Sequence, residues 1–253
     1  MRIGIDLGSR MAKFAVMDNN IMVRLAALET IPFYKRFGRI VGDELLLDLA
    51  ATGLFSPNEL ADAAIVVTGY GRNTINLQGA RVVSEIRAHV AGAMYQTEQR
   101  DFTLLDMGGQ DTKVAQVRGG RLTDFAMNDK CAASSGRYLE NMAAILDITV
   151  DELSRYDEEP VELASTCGIF GESELIGEIL RGHPLPQLCA GINQTLARRV
   201  LPMLRRFASP LVVVTGGVAR NEALLRIIRR ESGATVLVPA EPQHNGAIGC
   251  ATL

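Results

Sequence analysis

Two short stretches of the chain combine an aspartate, a glycine-rich turn and a lysine, which are residue types that bind phosphate and its counter-ions. Residues 5–15 read Ile-Asp-Leu-Gly-Ser-Arg-Met-Ala-Lys-Phe-Ala, and residues 105–115 read Leu-Asp-Met-Gly-Gly-Gln-Asp-Thr-Lys-Val-Ala. Aspartate, glycine, lysine and alanine recur in register, so the chain contains an internal repeat. Glycine lets a phosphate approach the backbone N–H groups, and a carboxylate at a strand end can hold the hydration shell of Mg²⁺. Two such turns could clamp a polyphosphate, whereas a single one is usually only a hairpin.

A third glycine turn follows an apolar run at residues 212–222, which read Val-Val-Val-Thr-Gly-Gly-Val-Ala-Arg-Asn-Glu. A buried strand that delivers two glycines into a helix lets backbone pack against an adenosine or its α-phosphate, next to a helix N-terminus that favours anions. An ordinary strand-to-helix turn is the alternative. A β-branched residue at Gly217 is expected to fill the ligand's space and to resist a positive-φ geometry. The three turns together resemble the phosphate-1, phosphate-2 and adenosine motifs of the actin, sugar-kinase and acetate-kinase superfamily, and no P-loop motif is present.

Two cysteines, Cys131 and Cys167, each precede a stretch that reads as a helix. The positive end of a helix dipole lowers a thiol's pKa and stabilises a thiolate or a net-negative cluster, so the pair suits a metal centre. Buried structural cysteines, a disulfide and a catalytic thiol are the alternatives. A cytosolic compartment disfavours the disulfide, and none of the three histidines visibly supplies the base that a catalytic thiol needs.

A [4Fe-4S] cluster requires four thiolates, and one chain offers only two at helix starts. A two-fold dimer would supply Cys131 and Cys167 twice and complete the ligand set. The other two cysteines, Cys189 and Cys250, have apolar helical surroundings and are predicted to be packing residues.

The elements that would position these residues alternate between strands and helices. Each repeat reads as a strand, a tight turn and a second strand, and the Arg-Gly-Gly-Arg turn at 118–121 adds a third strand to the second repeat. Helices are predicted at 41–54, 86–95, 135–146, 172–180, 187–207 and 221–231, and further strands at 64–68, 211–215 and 235–239. This alternation predicts two α/β halves with a cleft between them.

Composition limits the classes of function. A chain of 253 residues is long enough for two small α/β domains. The formal net charge of -3, without a Lys/Arg block, predicts neither a nucleic acid nor a membrane surface as partner. No signal-peptide core follows the first strand, and the apolar runs are strand-sized, so a cytoplasmic location is expected.

The sequence resembles the activator ATPases of 2-hydroxyacyl-CoA dehydratases and the related ATP-binding subunits of benzoyl-CoA reductases. The resemblance covers nearly the whole chain, and its most specific strings are Asp-Met-Gly-Gly-Gln-Asp at 106–111 and Asn-Asp-Lys-Cys-Ala-Ala at 128–133. Further matching strings lie at 4–6, 68–72, 172–174, 215–218 and 246–249.

The resemblance implies a fold of two related actin-like (ribonuclease H-like) halves with mixed sheets and an inter-domain nucleotide cleft. The expected boundaries are residues 1–97 for the first half and 98–244 for the second half, which carries the cluster ligands and the adenosine loop. Residues 245–253 would form a closing segment that packs back on the first half.

The resemblance also implies a homodimer with one [4Fe-4S] cluster, ligated by Cys131 and Cys167 of each subunit. ATP binding and hydrolysis would swing the two cluster-bearing helices and drive one low-potential electron into a partner iron–sulfur enzyme, with a ferredoxin or flavodoxin as upstream electron source. The acceptor could be a 2-hydroxyacyl-CoA dehydratase, an aromatic acyl-CoA reductase or another cluster protein.

Site roles follow from the motifs together with this resemblance. Asp6 and Asp106 are expected to organise Mg²⁺, with Gln110 or Asp111 positioning the attacking water. The residues expected to border ATP or ADP are Gly8, Ser9, Arg10, Met11, Ala12, Lys13, Gly108 and Gly109 at the phosphates, and Gly216, Gly217, Arg220 and Gln243 at the adenosine.

The chain departs from the family pattern at the first phosphate loop, where Ser9-Arg10-Met11 replaces Ser-Thr and small residues, and beside both cysteines, at 134–136 and 168–171. Two other functions remain open: a kinase or acyl-phosphate-forming enzyme, and a regulatory or filament-forming protein on the same nucleotide fold. Neither predicts paired cysteines at helix starts.

Overall fold

The computed structural model describes residues 1–42, 44–70, 75–77, 79–128, 135–164 and 170–253. Within them the chain forms two compact units, one of Met1–Gln99 with Gln243–Leu253 and one of Arg100–Pro242. No helix among the described residues is both long and apolar enough to cross a membrane.

The first unit is built on a five-stranded mixed sheet. The strands are β1 (Arg2–Leu7), β2 (Met11–Asp18), β3 (Ile21–Glu29), β6 (Ala64–Gly69) and β8 (Arg81–Val82). The central strand β1 pairs antiparallel with β2 and parallel with β6, and the sheet order is β3-β2-β1-β6-β8. A separate three-stranded sheet has the order β4-β5-β7, with β4 (Gly38–Val41), β5 (Glu44–Leu47) and β7 (Ile75–Asn76).

Helices and aromatic rings fill the core of this unit. Its helices are α1 (Thr30–Phe37), α2 (Pro57–Asp62), α3 (Glu85–Thr97) and α9 (Asn245–Thr252). Phe14 of β2 packs edge to face against Phe33 and Phe55, with ring centroids 5.6 and 5.9 Å apart, an arrangement that the aromatic quadrupole favours. Gly92 of α3 and Gly249 of α9 lie in the α3–α9 contact, where added Cβ atoms would overlap the partner helix. The two helices therefore pack closely.

The second unit repeats the sheet of the first. Its strands are β9 (Phe102–Met107), β10 (Thr112–Arg118), β11 (Arg121–Met127), β12 (Leu211–Thr215) and β13 (Thr235–Leu237). The sheet order is β11-β10-β9-β12-β13, and the central strand β9 likewise has one antiparallel and one parallel neighbour. The helices are α4 (Gly136–Ile145), α5 (Val150–Leu153), α6 (Phe170–Leu180), α7 (Leu185–Arg206) and α8 (Glu222–Ser232). The internal repeat predicted from residues 5–15 and 105–115 thus extends to the topology of both sheets.

Most predicted elements occur within a few residues of their expected ends, but the predicted helix at 41–54 is wrong. This stretch contains the end of β4, all of β5 and a 3-10 turn at Ala50–Thr52. Gly42 and Gly53 both take positive φ, 63° and 70°, a conformation that breaks a helix. The short run Glu-Leu-Leu-Leu of β5 is compatible with either a strand or a helix, because its hydrophobicity alone does not distinguish the two.

Candidate functional site

Asp6 lies at the end of β1, is 3% exposed, and faces a lysine of the neighbouring strand. Lys13 stands opposite it in the β1–β2 register, and its Nζ is 3.8 Å from Asp6 Oδ2. Asp6 Oδ1 is buried and has no hydrogen-bond partner among the described residues. Burial, and then the charge of Asp6, raise the pKa of Tyr34 to about 12, so this phenol stays protonated at neutral pH.

The first glycine turn is fixed by the start of α1. Thr30 donates its hydroxyl to the carbonyl oxygen of Gly8 (2.7 Å) and its backbone N–H to that of Arg10 (3.0 Å). Ser9 is half-buried and the Arg10 side chain is exposed. The remaining three residues predicted at the phosphates, Met11, Ala12 and Lys13, open strand β2 rather than the turn itself.

Asp106 occupies the equivalent place in the second unit and is fully engaged by neighbours. Thr215 donates its hydroxyl to Asp106 Oδ1 (2.8 Å), and Lys113 Nζ lies 3.9 Å from Oδ2. The same ammonium is 2.7 Å from Asp111 Oδ2. Gly108 closes the turn by donating to the carbonyl oxygen of Asp111 (2.9 Å). Asp106, Asp111 and Lys113 therefore form one buried-to-surface charge network.

The two repeats differ in the hydrogen bond that one threonine hydroxyl makes. Asp6 pairs in register with Thr68 on the parallel neighbour β6, as Asp106 pairs with Thr215 on β12. Thr68 instead donates its hydroxyl to the carbonyl oxygen of Val83 (3.0 Å). The carboxylate of the first repeat thereby loses the hydrogen bond that its counterpart receives.

The third glycine turn requires its glycine at Gly216 rather than at Gly217. Gly216 has φ 87°, and a Cβ there would lie 2.6 Å from the carbonyl carbon of Met107. Gly217 does not have a positive φ. It is exposed and begins a 3-10 turn that ends at Arg220. The expectation of positive φ at Gly217 was therefore wrong by one residue, because the bend falls immediately after β12.

Other residues predicted at the nucleotide are placed as follows. Gln110 is exposed at the tip of the second glycine turn, and Gly109 beside it is half-buried. Arg220 is exposed just before α8, whose N-cap Asn221 accepts from the backbone N–H of Leu224 (2.8 Å). Gln243 is half-buried in a short 3-10 helix, Pro242–His244.

The N-terminus of α4 rests on the second glycine turn through three hydrogen bonds. Ser135 Oγ donates to the carbonyl oxygen of Gly109 (2.9 Å). The backbone N–H groups of Gly136 and Arg137 donate to the carbonyl oxygens of Gly108 and Gly109, both at 3.0 Å. The two backbone bonds satisfy first-turn N–H groups that have no partner inside the helix, so the turn caps the N-terminus of α4.

The predicted cluster ligands Cys131 and Cys167 lie outside the described residues. Downstream of them, α4 begins at Gly136 and α6 at Phe170. These two helices are neighbours: a Cβ on Gly171 would stand 3.2 Å from Met142 Cε.

Cys189 and Cys250 are fully buried, which confirms their prediction as packing residues. Burial raises the pKa of the Cys189 thiol to about 11, with the charge of Glu152 adding to the effect. Burial, and then the charge of Asp6, also raise the pKa of Cys250.

Sequence reasoning missed two residues beside Asp6. Glu85 and His89 lie four residues apart on α3, and one ligand atom from each of Asp6, Glu85 and His89 lies within 4.8 Å of the others. The spacing of a carboxylate and an imidazole on one helix face was a visible signal. Asp6 lies far from both residues in the sequence, so the spacing of Glu85 and His89 did not indicate that a second carboxylate lies beside them.

Comparison with known proteins identifies the family. The model of the BadF/BadG/BcrA/BcrD ATPase family matches residues 3–253. The chain belongs to this family. Its relatives in the BadF/BadG/BcrA/BcrD ATPase family include the 2-hydroxyisocaproyl-CoA dehydratase activator of Clostridioides difficile, 36% identical over 256 residues that cover 98% of this chain and 92% of the relative.

Solved structures agree with this family assignment. The activator of the 2-hydroxyisocaproyl-CoA dehydratase from Clostridium difficile with bound ADPNP superposes with a TM-score of 0.84 at 32% identity, covering 99% of this chain and 92% of the other. A ROK family glucokinase from Streptomyces griseus gives 0.57 at 16% identity, covering 99% and 98%, which shows the fold alone. The predicted family and the actin-like fold are both confirmed.

Proposed function

We propose that this protein is an ATP-dependent one-electron donor that activates a partner iron–sulfur enzyme, with a 2-hydroxyacyl-CoA dehydratase as the favoured acceptor. The observation that carries the proposal is the family match over nearly the whole chain together with the duplicated Asp-Lys pairs at the ends of β1 and β9. A ferredoxin or flavodoxin would reduce the donor again after each electron transfer.

The nucleotide side of the proposal rests on the three glycine turns. Gly8 to Lys13 and Gly108 to Asp111 would hold the phosphates, and Gly216, Gly217, Arg220 and Gln243 would border the adenosine. Asp6 and Asp106 would hold the hydration shell of Mg²⁺, because both are buried carboxylates at strand ends. Gln110 or Asp111 would orient the attacking water, since transfer of a γ-phosphoryl group needs positioning and charge neutralisation rather than covalent catalysis.

The donor set of the chain fits half of a [4Fe-4S] cluster. Only Cys131 and Cys167 remain as ligands, because Cys189 and Cys250 are buried and have raised thiol pKa values that disfavour a thiolate. Two ligands per chain require a second copy, so we propose a homodimer that shares one cluster. When bound, the cluster supplies the low-potential electron.

Coupling would run from the second glycine turn into α4. The carbonyl oxygens of Gly108 and Gly109 hold the first turn of this helix, and Cys131 precedes the same helix in sequence. A change of phosphate contacts at the turn would therefore pull on the segment that carries a cluster ligand. The contact of α6 with α4 at Gly171 and Met142 would pass the movement to the segment after Cys167.

The test is ATP-dependent electron delivery under anaerobic conditions. The reduced protein is mixed with an oxidised 2-hydroxyacyl-CoA dehydratase, with ATP, with ADPNP or without nucleotide, and reduction of the acceptor's cluster is followed by EPR. Because no other reductant is present, we expect a single turnover of electron transfer, and only with ATP. Equal rates without nucleotide, or phosphorylation of a small-molecule substrate with no electron transfer, would contradict the proposal.

A further inference from the structure

Asp6, Glu85 and His89 form a buried group of ligand-type side chains inside the first unit. Asp6 is 3% and His89 5% exposed, while Glu85 is half-buried, and one ligand atom of each lies within 4.8 Å of the others. Ligand atoms around one ion stand roughly 3 to 4 Å apart at bond lengths near 2.1 Å. Small rotations of the three side chains would therefore close them on an ion.

The two oxygens of Asp6 have different surroundings. Oδ2 faces Lys13 Nζ at 3.8 Å, whereas buried Oδ1 accepts no hydrogen bond from any described residue. In the second unit, the equivalent oxygen of Asp106 accepts a hydrogen bond from Thr215. Thr68 is the counterpart of Thr215 in the first unit, but it donates to the carbonyl oxygen of Val83 instead. A buried carboxylate oxygen without a donor is costly, so a bound cation would stabilise this oxygen where the described residues supply no partner.

Space and charge at the site both suit a cation. A Cβ on Gly246 of α9 would lie 2.8 Å from Asp6 Oδ2 and 2.9 Å from His89 Nε2, so the glycine leaves the point between them open. Asp6 and Glu85 bring two carboxylates to the site, and the ammonium of Lys13 faces Asp6 Oδ2. Two carboxylates beside an imidazole form a ligand set that suits a divalent ion.

We infer that Asp6, Glu85 and His89 bind a first-row divalent transition-metal ion, and that they do so when no nucleotide is bound. Mn²⁺ is the ion used to test this. An imidazole among two carboxylates favours Mn²⁺, Fe²⁺, Co²⁺ or Zn²⁺, whereas Mg²⁺ prefers oxygen ligands only. The inference does not rest on the proposed electron transfer. Asp6 would also hold the hydration shell of the Mg²⁺ that accompanies a bound nucleotide, so Glu85 and His89 are the residues that separate the two assignments.

The test titrates nucleotide-free, full-length protein with Mn²⁺, counts bound ions by EPR, and uses pulsed EPR to detect coupling to ¹⁴N. We expect one tight Mn²⁺ per chain with nitrogen coupling. His89→Gln should abolish the coupling and weaken binding more than about tenfold, and Glu85→Gln should weaken binding but keep the coupling. His183→Gln is the matched control, because His183 faces Glu178 at 3.1 Å in the second unit.

Two results would overturn the inference: wild-type protein that binds no Mn²⁺ tightly without nucleotide, or nitrogen coupling that survives His89→Gln. If His89→Gln does not fold, Glu85→Gln still decides, since Glu85 is only half-buried and unchanged affinity in this variant would remove the site. Because no ATP is present, failure here leaves the proposed electron-donor function standing, and failure of electron transfer leaves this site standing.

Discussion

Ser135 Oγ donates a 2.9 Å hydrogen bond to the carbonyl oxygen of Gly109, joining the first turn of α4 to the second glycine turn. Ser135 is fully buried, so the bond is shielded from water. Among the described residues, this side-chain bond attaches the helix to the turn together with two backbone hydrogen bonds. Mutation can therefore remove it while both backbone bonds remain.

Ser135→Ala should uncouple ATP hydrolysis from electron transfer. Loss of one hydrogen bond costs about 1 kcal/mol, which loosens the attachment of α4 without removing any residue proposed to bind ATP. We expect ATPase activity within about twofold of wild type and several-fold fewer electrons delivered per ATP. Ser154→Ala is the matched control, since Ser154 makes a similar bond to Asp151 (2.8 Å) at the end of α5. An unchanged ratio of electrons to ATP in Ser135→Ala would contradict the coupling path.

Asp106→Asn should retain nucleotide but lose most turnover. The amide oxygen can still accept the hydroxyl of Thr215, whereas the negative charge that faces Lys113 and would organise Mg²⁺ disappears. We expect more than a tenfold fall in ATPase rate with nucleotide affinity nearly unchanged, measured by phosphate release and calorimetry. Asp101→Asn, at an exposed aspartate that accepts from Gly119, controls for loss of an acid. A wild-type rate in Asp106→Asn would remove Asp106 from the site.

Gly216 and Gly217 should respond differently to valine. Gly216→Val places a β-branched side chain at φ 87° against the backbone of Met107, so it should destabilise the fold by several kcal/mol. Gly217→Val changes an exposed residue and should leave the melting temperature nearly unchanged while abolishing nucleotide binding. Thermal unfolding and nucleotide titration of both variants check this pair, and wild-type nucleotide affinity in Gly217→Val would count against the adenosine assignment.

The duplicated hairpins could be predicted from the sequence, because each hairpin is formed by residues close together in the chain. The same spacing of aspartate, glycine and lysine recurs in residues 5–15 and 105–115. The sequence was insufficient for the position of the positive φ at Gly216, since two adjacent glycines look alike until the strand end is known. The hydroxyl of Thr68 illustrates a further limit, because its sequence context matches that of Thr215 but its hydrogen bond goes to the carbonyl oxygen of Val83, a contact that the local sequence does not reveal.

Burial of Cys189 should make stability fall at high pH. The folded pKa is raised from 9.0 to about 11, so the folded state keeps its proton while the unfolded state loses it between these values. This contribution is complete below pH 9 and is lost as pH rises to 11, with a slope of at most about 1.4 kcal/mol per pH unit. Cys189→Ala should show a shallower fall in the free energy of unfolding over this window. Identical slopes for the two proteins would show that Cys189 does not titrate on unfolding.

The shared cluster is the central claim, and iron per dimer, measured beside sedimentation mass on anaerobically purified protein, tests it most directly. We predict about four iron and four sulfide per two chains. Cys131→Ser or Cys167→Ser should each remove two of the four ligands, so that iron content collapses and dimerisation weakens. Cys189→Ser and Cys250→Ser should keep the iron and cost about 1 to 2 kcal/mol of packing. One cluster per monomer, or a Cys131→Ser protein with its iron intact, would contradict the account.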